Sequence, residues 1–303
     1  MRKRLWAALL AGLLTLTGLV AVTAIPAQAD PPPSNCYPVL TTCGYPTSAT
    51  TGPRSGHTLT LCTTLTTPAC DSSGNLTIST NNATVSDMEI HGCINVQASG
   101  VTLSDILITD ADCYYYIQDT DNSSYGFSAS YVRIDCSGLG VGLSGWNFTF
   151  DHGWIGRCAD GASIVNDVTI SNSVIAAWES SEEAHGDLIQ GWAYEDANVT
   201  IDHNLLAAYN PMTSALSAAN GATGYTVTDN FFGGGAYSLY CAHNDWVVTG
   251  NRFYEKGEDA ATRDTDHRSP AYGYTTDCED TVTWSGNFTD RTGSTLNDDG
   301  TTS

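Results

Sequence analysis

The run His185-Gly186-Asp187-Leu188-Ile189-Gln190, with Glu182 and Glu183 just ahead of it, gathers imidazole, carboxylate and amide groups between two apolar segments. Ionisable side chains are costly on a strand unless that face is wet, and a wet face carrying His and Asp suits proton transfer. His185 and Asp187 stand two residues apart, so on a strand they share a face, about 7 Å between Cα atoms. His185, Asp187 and Glu182 are therefore candidate acid–base groups. Strict alternation turns Leu188 and Gln190 to the opposite face and leaves Ile189 outside with the pair, unless a bulge intervenes. The competing reading of the run is a solvated strand edge without chemistry.

Such groups need a rigid support, and the surrounding sequence supplies a repeating one. Val101-Thr102-Leu103-Ser104-Asp105, Phe148-Thr149-Phe150-Asp151-His152 and Val168-Thr169-Ile170-Ser171-Asn172 share one pattern. Val199 to Asn204, Tyr225 to Asn230, Trp246 to Asn251 and Val282 to Asn287 continue it. Apolar–Thr–apolar alternation is the period of a strand with one face in and one face out. Asn204, Asn230, Asn251 and Asn287 close their copies; Asn tolerates the left-handed turn conformation, and its amide can pair with a copy above or below. Strands recurring at about 20–30 residues with loops of unequal length predict a β-solenoid whose repeats share one core. The irregular spacing favours a right-handed parallel β-helix, all-β, of three-strand rungs. An immunoglobulin-like sandwich would need Asn-Gly or Asp-Gly hairpins; instead, apolar second strands such as Val174 to Ala177 and Leu205 to Ala208 follow the repeats.

The first strands of successive rungs are expected at 94–98, 114–119, 141–145, 160–165, 185–190, 214–219, 237–241 and 272–276. This register stacks Asp160 one rung from Asp187, about 4.8 Å away along the stack, and makes it a third candidate carboxylate. Carboxyl groups about 5–5.5 Å apart suit a retaining glycosidase, and about 6.5–9.5 Å an inverting one. Trp192, Tyr237 and Tyr240 are candidate substrate contacts, because sugar C–H faces stack on aromatic rings, and Gln190 is a fourth through its amide. Asp110-Ala111-Asp112 and Asp119-Thr120-Asp121 offer oxygen ligands for a possible Ca²⁺, without a defined loop signature.

Residues 1–29 read as a signal peptide: Arg2-Lys3-Arg4, an apolar run, then Ala27-Gln28-Ala29. Its removal moves the formal charge from −22 to −25 and leaves eight Arg plus Lys. Such a surface repels nucleic acid and anionic lipid. The expected organisation is 1–29 signal, 30–75 N-terminal cap or leader and 76–303 β-helix, secreted, off the membrane and monomeric. The ten cysteines lie beyond residue 29 and include no Cys-x-x-Cys, so disulfides are the expected state. Stacking of neighbouring rungs puts equivalent Cα atoms about 4.8 Å apart, within disulfide range. The expected pairs are Cys93–Cys113, Cys136–Cys158 and Cys241–Cys278, with Cys36–Cys43 and Cys62–Cys70 in the cap; Cys113–Cys136 is the alternative.

The Asn-ended repeats and the His-x-Asp-x-Ile-Gln run resemble secreted actinobacterial proteins of the pectin-lyase-like superfamily, over about residues 80–295. Phe150-Asp151-His152 and Ile201-Asp202-His203 are similar to the Trp-Ile-Asp-His signature of pectate lyases, without its Trp. Arg268-Ser269-Pro270 matches half of those enzymes' Arg-x-Pro-x-x-Arg motif, with Gly273 at the second Arg position. The resemblance implies an enzyme acting on an extracellular polysaccharide along the first sheet, by hydrolysis or β-elimination. Elimination from a uronate needs a cation at the substrate carboxylate, and the strand cluster has none, which favours hydrolysis of a neutral glycan. The alternative is a non-catalytic β-helix that binds glycan or a cell surface, for which extended Thr or aromatic arrays are expected.

Overall fold

The computed structural model describes residues 36, 39–119, 124–136, 140–176, 186–191, 197–208, 213–218, 222–241, 245–255, 270–278 and 282–303. These residues form an all-β protein with two parallel sheets, one of nine strands and one of sixteen. Their one helix is a 3₁₀ turn, Leu40–Cys43, closed by Gly44 in the left-handed conformation. No helix among them is long and apolar enough to cross a membrane.

The nine-stranded sheet runs in chain order from Leu76–Ile78 to Gly273–Thr276. It contains the expected first strands, among them Asp160–Ile164, Asp187–Gly191, Ser214–Ser217 and Tyr237–Tyr240. In the sixteen-stranded sheet Phe127–Asp135 forks the path: Ser128–Ser130 pairs with Thr149–Asp151, and Arg133–Asp135 with Trp154–Gly156. Two arms leave this fork. From Val141 onward each strand pairs with the strand three places further along the chain.

Register turns this pairing into columns of like residues. Leu76, Ile94, Ile117, Leu143, Ala162, Ile189, Leu216 and Leu239 stack in one column, all fully buried. Each such Leu or Ile is worth ~1.5–3 kcal/mol of burial, and the neighbouring repeat supplies the partner surface. Aromatic pairs stack in the same way, as in Phe127–Phe148, Tyr225–Trp246 and Phe232–Phe253, with centroids 5.1, 4.3 and 5.0 Å apart.

One left-handed corner recurs from repeat to repeat. Asp87, Asp105, Tyr131, His152, Asn172, His203, Asp229, Gly250 and Gly286 occupy equivalent positions and all have positive φ. The left-handed residue is thus the one before Asn204, Asn230, Asn251 and Asn287, not the Asn expected from sequence. Each Asn instead uses its amide in the stack. Asn230 Nδ2 donates to Asn251 Oδ1 at 3.0 Å and to the Ile201 carbonyl at 2.7 Å, while its Oδ1 accepts from the Asn204 main-chain N–H at 2.9 Å. Asn204 and Asn251 repeat these contacts with Asn230 and Asn287. Buried amides persist only when paired in this way.

The five disulfides pair as expected. They are not strictly in register, however. Asp135 pairs with Gly156, yet Cys136 bonds Cys158; Tyr240 pairs with Thr276, yet Cys241 bonds Cys278. In both cases one left-handed residue, Arg157 or Asp277, takes up the extra step, and the Cα atoms stay 4.8 and 4.9 Å apart.

Residues 39–57 run lengthwise over the stack. The Cys36 N–H donates to Asp290, Tyr45 packs edge-on against Phe231, the Gly52 N–H donates to the His152 carbonyl, and Arg54 reaches Asp105. Leu40 and Tyr45 form a separate apolar cluster with Val174, Leu205, Phe231 and Tyr254. Thr60–Leu61 then pairs with Thr84–Ile90, so the sheet starts ahead of residue 76.

Replacing Asn230 by Ala orphans buried groups on both neighbouring repeats, each costing about 1–3 kcal/mol. A loss of about 2–5 kcal/mol is expected, read as a lower urea midpoint with unchanged m value. A midpoint within error of the parent would show that the Asn ladder is not a source of stability.

Candidate functional site

Asp187 and Ser214 are register partners on adjacent strands of the nine-stranded sheet. Asp160 precedes Ala162 by two residues, as Asp187 precedes Ile189, and Ala162 pairs with Ile189. Asp160, Asp187 and Ser214 therefore stand at one position in three successive strands, about 4.8 Å apart along the stack. The Asp187 main-chain N–H donates to Asp160 Oδ1 at 2.8 Å, and the Ser214 hydroxyl donates to Asp187 Oδ1 at 2.5 Å. Asp160 is half-buried, whereas Asp187 is 3% exposed.

This burial corrects the alternation expected from sequence. Leu188 and Ile189 both lie in the core, and Gln190 is half-buried beside Ser163 and Ser217. The strand starts at Asp187, where the chain enters the sheet, and period two is established only from Ile189. Small residues opposite make the room: Gly161 sits against the Leu188 carbonyl and Ile175, where a Cβ would collide.

Tyr240 continues the Gln190 and Ser217 column one strand on. Its ring meets Tyr237 edge to face at 5.3 Å, and Tyr237 lies 5.9 Å from Tyr272, which is 69% exposed. Burial pushes the Tyr240 hydroxyl above its ordinary range, with Tyr237 and Asp187 adding to the effect. The structure thus brings Asp160, Asp187, Gln190, Tyr237 and Tyr240 together on one sheet. His185, Glu182 and Trp192 lie outside the described residues.

A second ionisable cluster sits where the N-terminal segment meets the first corners. His57, Asp87 and Asp105 each offer one ligand atom, all within 4.8 Å of one another. That composition is available to acid–base or metal chemistry. Asp105, however, is already matched in charge: Arg54 donates from its main-chain N–H at 3.0 Å and from Nε at 2.9 Å to Oδ1, and from Nη2 at 2.5 Å to Oδ2. The guanidinium also lies 4.6 Å over the Tyr131 ring. His57 Nδ1 is 2.5 Å from Asp87 Oδ1 and 3.8 Å from Asp105 Oδ2. Ca²⁺ takes six to eight oxygen ligands, roughly, so two carboxylates and an imidazole beside a guanidinium fit it poorly. Of the acidic runs expected to offer Ca²⁺ ligands, Asp119 is buried, accepts the Trp146 N–H at 2.8 Å and is no surface ligand.

Sequence reasoning did not single out Arg54, His57, Asp87 or Asp105. The available signal was alignment of the repeats, which puts Asp105 at the corner position of His152 and Asn172.

None of the protein-family models, curated proteins or solved structures compared with the chain matches it.

The Arg54 hydrogen bonds hold the Asp105 carboxyl below the usual carboxylate range, and the His57 hydrogen bond does so for Asp87. Carboxyls depressed in the folded state stabilise it above their unfolded value, near ~3.9, and this contribution is lost as pH falls through the folded values. Acid should therefore loosen the segment around Arg54 first. At neutral pH, Asp105→Asn should do the same and expose the Arg54–Ser55 bond to trypsin. Resistance of this variant at a protease dose that cuts the urea-unfolded chain would mean that the pair does not anchor the segment.

Proposed function

We propose that the protein is an exported right-handed parallel β-helix of three-strand rungs, pectin-lyase-like in architecture, that cleaves an extracellular polysaccharide on its nine-stranded sheet. From Val141 onward, the pairing of each strand with the third one on supports the rung geometry. Ten cysteines in five disulfides, with none free, support an oxidising destination, as does the signal-like start of the chain. The observation that carries the catalytic reading is the pair Asp160 and Asp187, equivalent on consecutive strands of the sheet that carries Tyr237 and Tyr240 two strands further on.

In this reading Asp160, the more accessible carboxylate, exchanges the proton with the glycosidic oxygen or the attacking water. Asp187, beneath it, is a positioning residue whose main-chain N–H orients Asp160 and whose carboxylate is held by Ser214. His185 and Glu182 adjoin Asp187 in sequence and are the next acid–base candidates. The tyrosines present faces for sugar stacking, and Gln190 an amide for its hydroxyls. No Arg or Lys is among the described residues of this patch, which favours hydrolysis of a neutral glycan over elimination from a uronate.

A second reading, a non-catalytic β-helix that binds glycan or a cell surface, draws support from one array. Thr84, Thr102, Ser128, Thr149, Thr169, Thr200 and Thr226 form a single register column on the outer side of the sixteen-stranded sheet.

A panel of polysaccharides assayed for new reducing ends and for unsaturated products separates the readings. With a cleaved substrate in hand, Asp160→Asn should lower activity about 10²–10⁴-fold while leaving the melting temperature unchanged. Asp187→Asn should lower both, because its carboxylate is buried. Undiminished cleavage by folded Asp160→Asn would remove the catalytic assignment, and saturable binding without any cleavage would favour the second reading.

A further inference from the structure

A cleft of about 300 Å³ opens between the N-terminal segment and the corner column, lined by Thr41, Tyr45 and Thr50 on one side and His152, Asn172 and His203 on the other. It belongs to neither site described above. Its two imidazoles are set in defined tautomers by partners that can only accept. His152 Nδ1 lies 2.7 Å from Asp151 Oδ2, and His203 Nε2 lies 3.1 Å from the Gly44 carbonyl. In the neutral imidazoles these two nitrogens therefore carry the proton, and His152 Nε2 and His203 Nδ1 are the acceptors.

The surroundings hold this arrangement. Asp151 Oδ1 accepts from the Ser171 hydroxyl at 2.9 Å and from Asn172 Nδ2 at 2.8 Å. Burial pushes the Asp151 carboxyl up, but the hydrogen bonds from Asn172, His152 and Ser171 bring it below its ordinary range, so it stays an acceptor for His152. The His152 ring is stacked 5.0 Å from Tyr131, and the His203 ring 5.7 Å from Tyr45.

The chemistry of the lining selects among ligands. His152 and His203 stand two strand spacings apart, about 10 Å between Cα atoms, so their rings flank the cleft. Among the described residues no third carboxylate, imidazole or thiol joins them in a compact metal-ligand group. An anion would meet Asp151 beside His152, and Asp202 and Asp229 beside His203. A neutral ligand with hydroxyl donors around an apolar ring suits two imidazole acceptors, two threonine hydroxyls and the Tyr45 ring.

We propose that this cleft is a binding site for a single neutral pyranose unit, separate from the nine-stranded sheet. Its hydroxyls donate to His152 Nε2 and His203 Nδ1, and the Thr41 and Thr50 hydroxyls complete the polar contacts. The site does not depend on cleavage at the sheet, because it shares no residue with it.

The test is a titration of the full chain with methyl glucopyranoside, galactopyranoside and mannopyranoside, followed by the histidine ring resonances in NMR, with Zn²⁺ alone in parallel. At least one glycoside should shift His152 and His203 saturably while leaving His91 unmoved. His152→Asn and His203→Asn should each weaken that binding about tenfold, the loss of about one hydrogen bond. Asn already occupies the same positive-φ corner at Asn172, so both variants should fold, losing no more melting temperature than one hydrogen bond and one ring contact imply. Asp160→Asn should bind the glycoside as the parent does. The proposal is overturned if no glycoside gives saturable shifts, if both variants bind like the parent, or if Zn²⁺ alone saturates both rings.

Discussion

The strand hydrogen bonds of a parallel stack run to the repeat before or after, so the chain must turn at the same place each time. Here one such turn in each repeat is made by a residue held at positive φ, from Asp87 to Gly286, and a second left-handed column runs through Asn82, Gly100, Asn147, Asp167, Asn198 and Gly224. A left-handed residue other than glycine costs roughly 1–2 kcal/mol. Asp, Asn and His bear this cost best, because their short polar side chains bond locally, and six of the nine corner residues are of these types. The result is a column of polar side chains along one edge, which the flat strands alone would not have produced. His57 with Asp87, Arg54 with Asp105 and the Asp151–His152 pair all arise from it.

The same regularity creates a problem on the outer face of the second arm. Trp154, Val174, Leu205 and Phe231 stack there in register, an apolar stripe that solvent would otherwise meet. The N-terminal segment covers it with Leu40 and Tyr45, and its ends are tied by charge. Arg252, fully buried, donates to Asp290 at 2.8 Å, and Asp290 also accepts the Cys36 N–H. Burial pushes the Tyr45 hydroxyl up to about 12, so it stays protonated in this cluster. A segment laid over a periodic corner cannot fill every gap, and the cleft between them follows from that mismatch.

What could be read from sequence tracks the range of the interactions. Thr102, Thr169 and Thr226 between apolar neighbours announce strands because alternation is local. The disulfides follow from stacking, since Cys136 and Cys158 lie only one repeat apart. Asp187 is buried rather than outward as alternation predicts, because it opens its strand, where period two is not yet established. The course of residues 39–57 was not legible at all. Its anchors join Cys36 to Asp290 and Arg54 to Asp105, and no periodicity links such distant positions. Which of the few cations would serve a substrate and which would serve the fold was equally hidden.

That last division bears on chemistry. Beyond residue 29 the chain has eight cationic side chains, and the structure describes five of them. Arg54 is held by Asp105, Arg157 by Asp135 and Arg252 by Asp290, while Arg133 stacks 3.6 Å over Trp154. These groups serve the stack and the segment laid over it, and Arg291 lies beyond the last strand. A uronate on the nine-stranded sheet would need its counter-charge from Lys256, Arg263 or Arg268, which lie outside the described residues. A neutral glycan makes no such demand: hydroxyls need acceptors and apolar faces, and Asp160, Gln190 and the tyrosines of the sheet provide both. With a surface this acidic, long-range attraction does not gather a polyanion, so the proposed glycan binding rests on short-range contact along the columns.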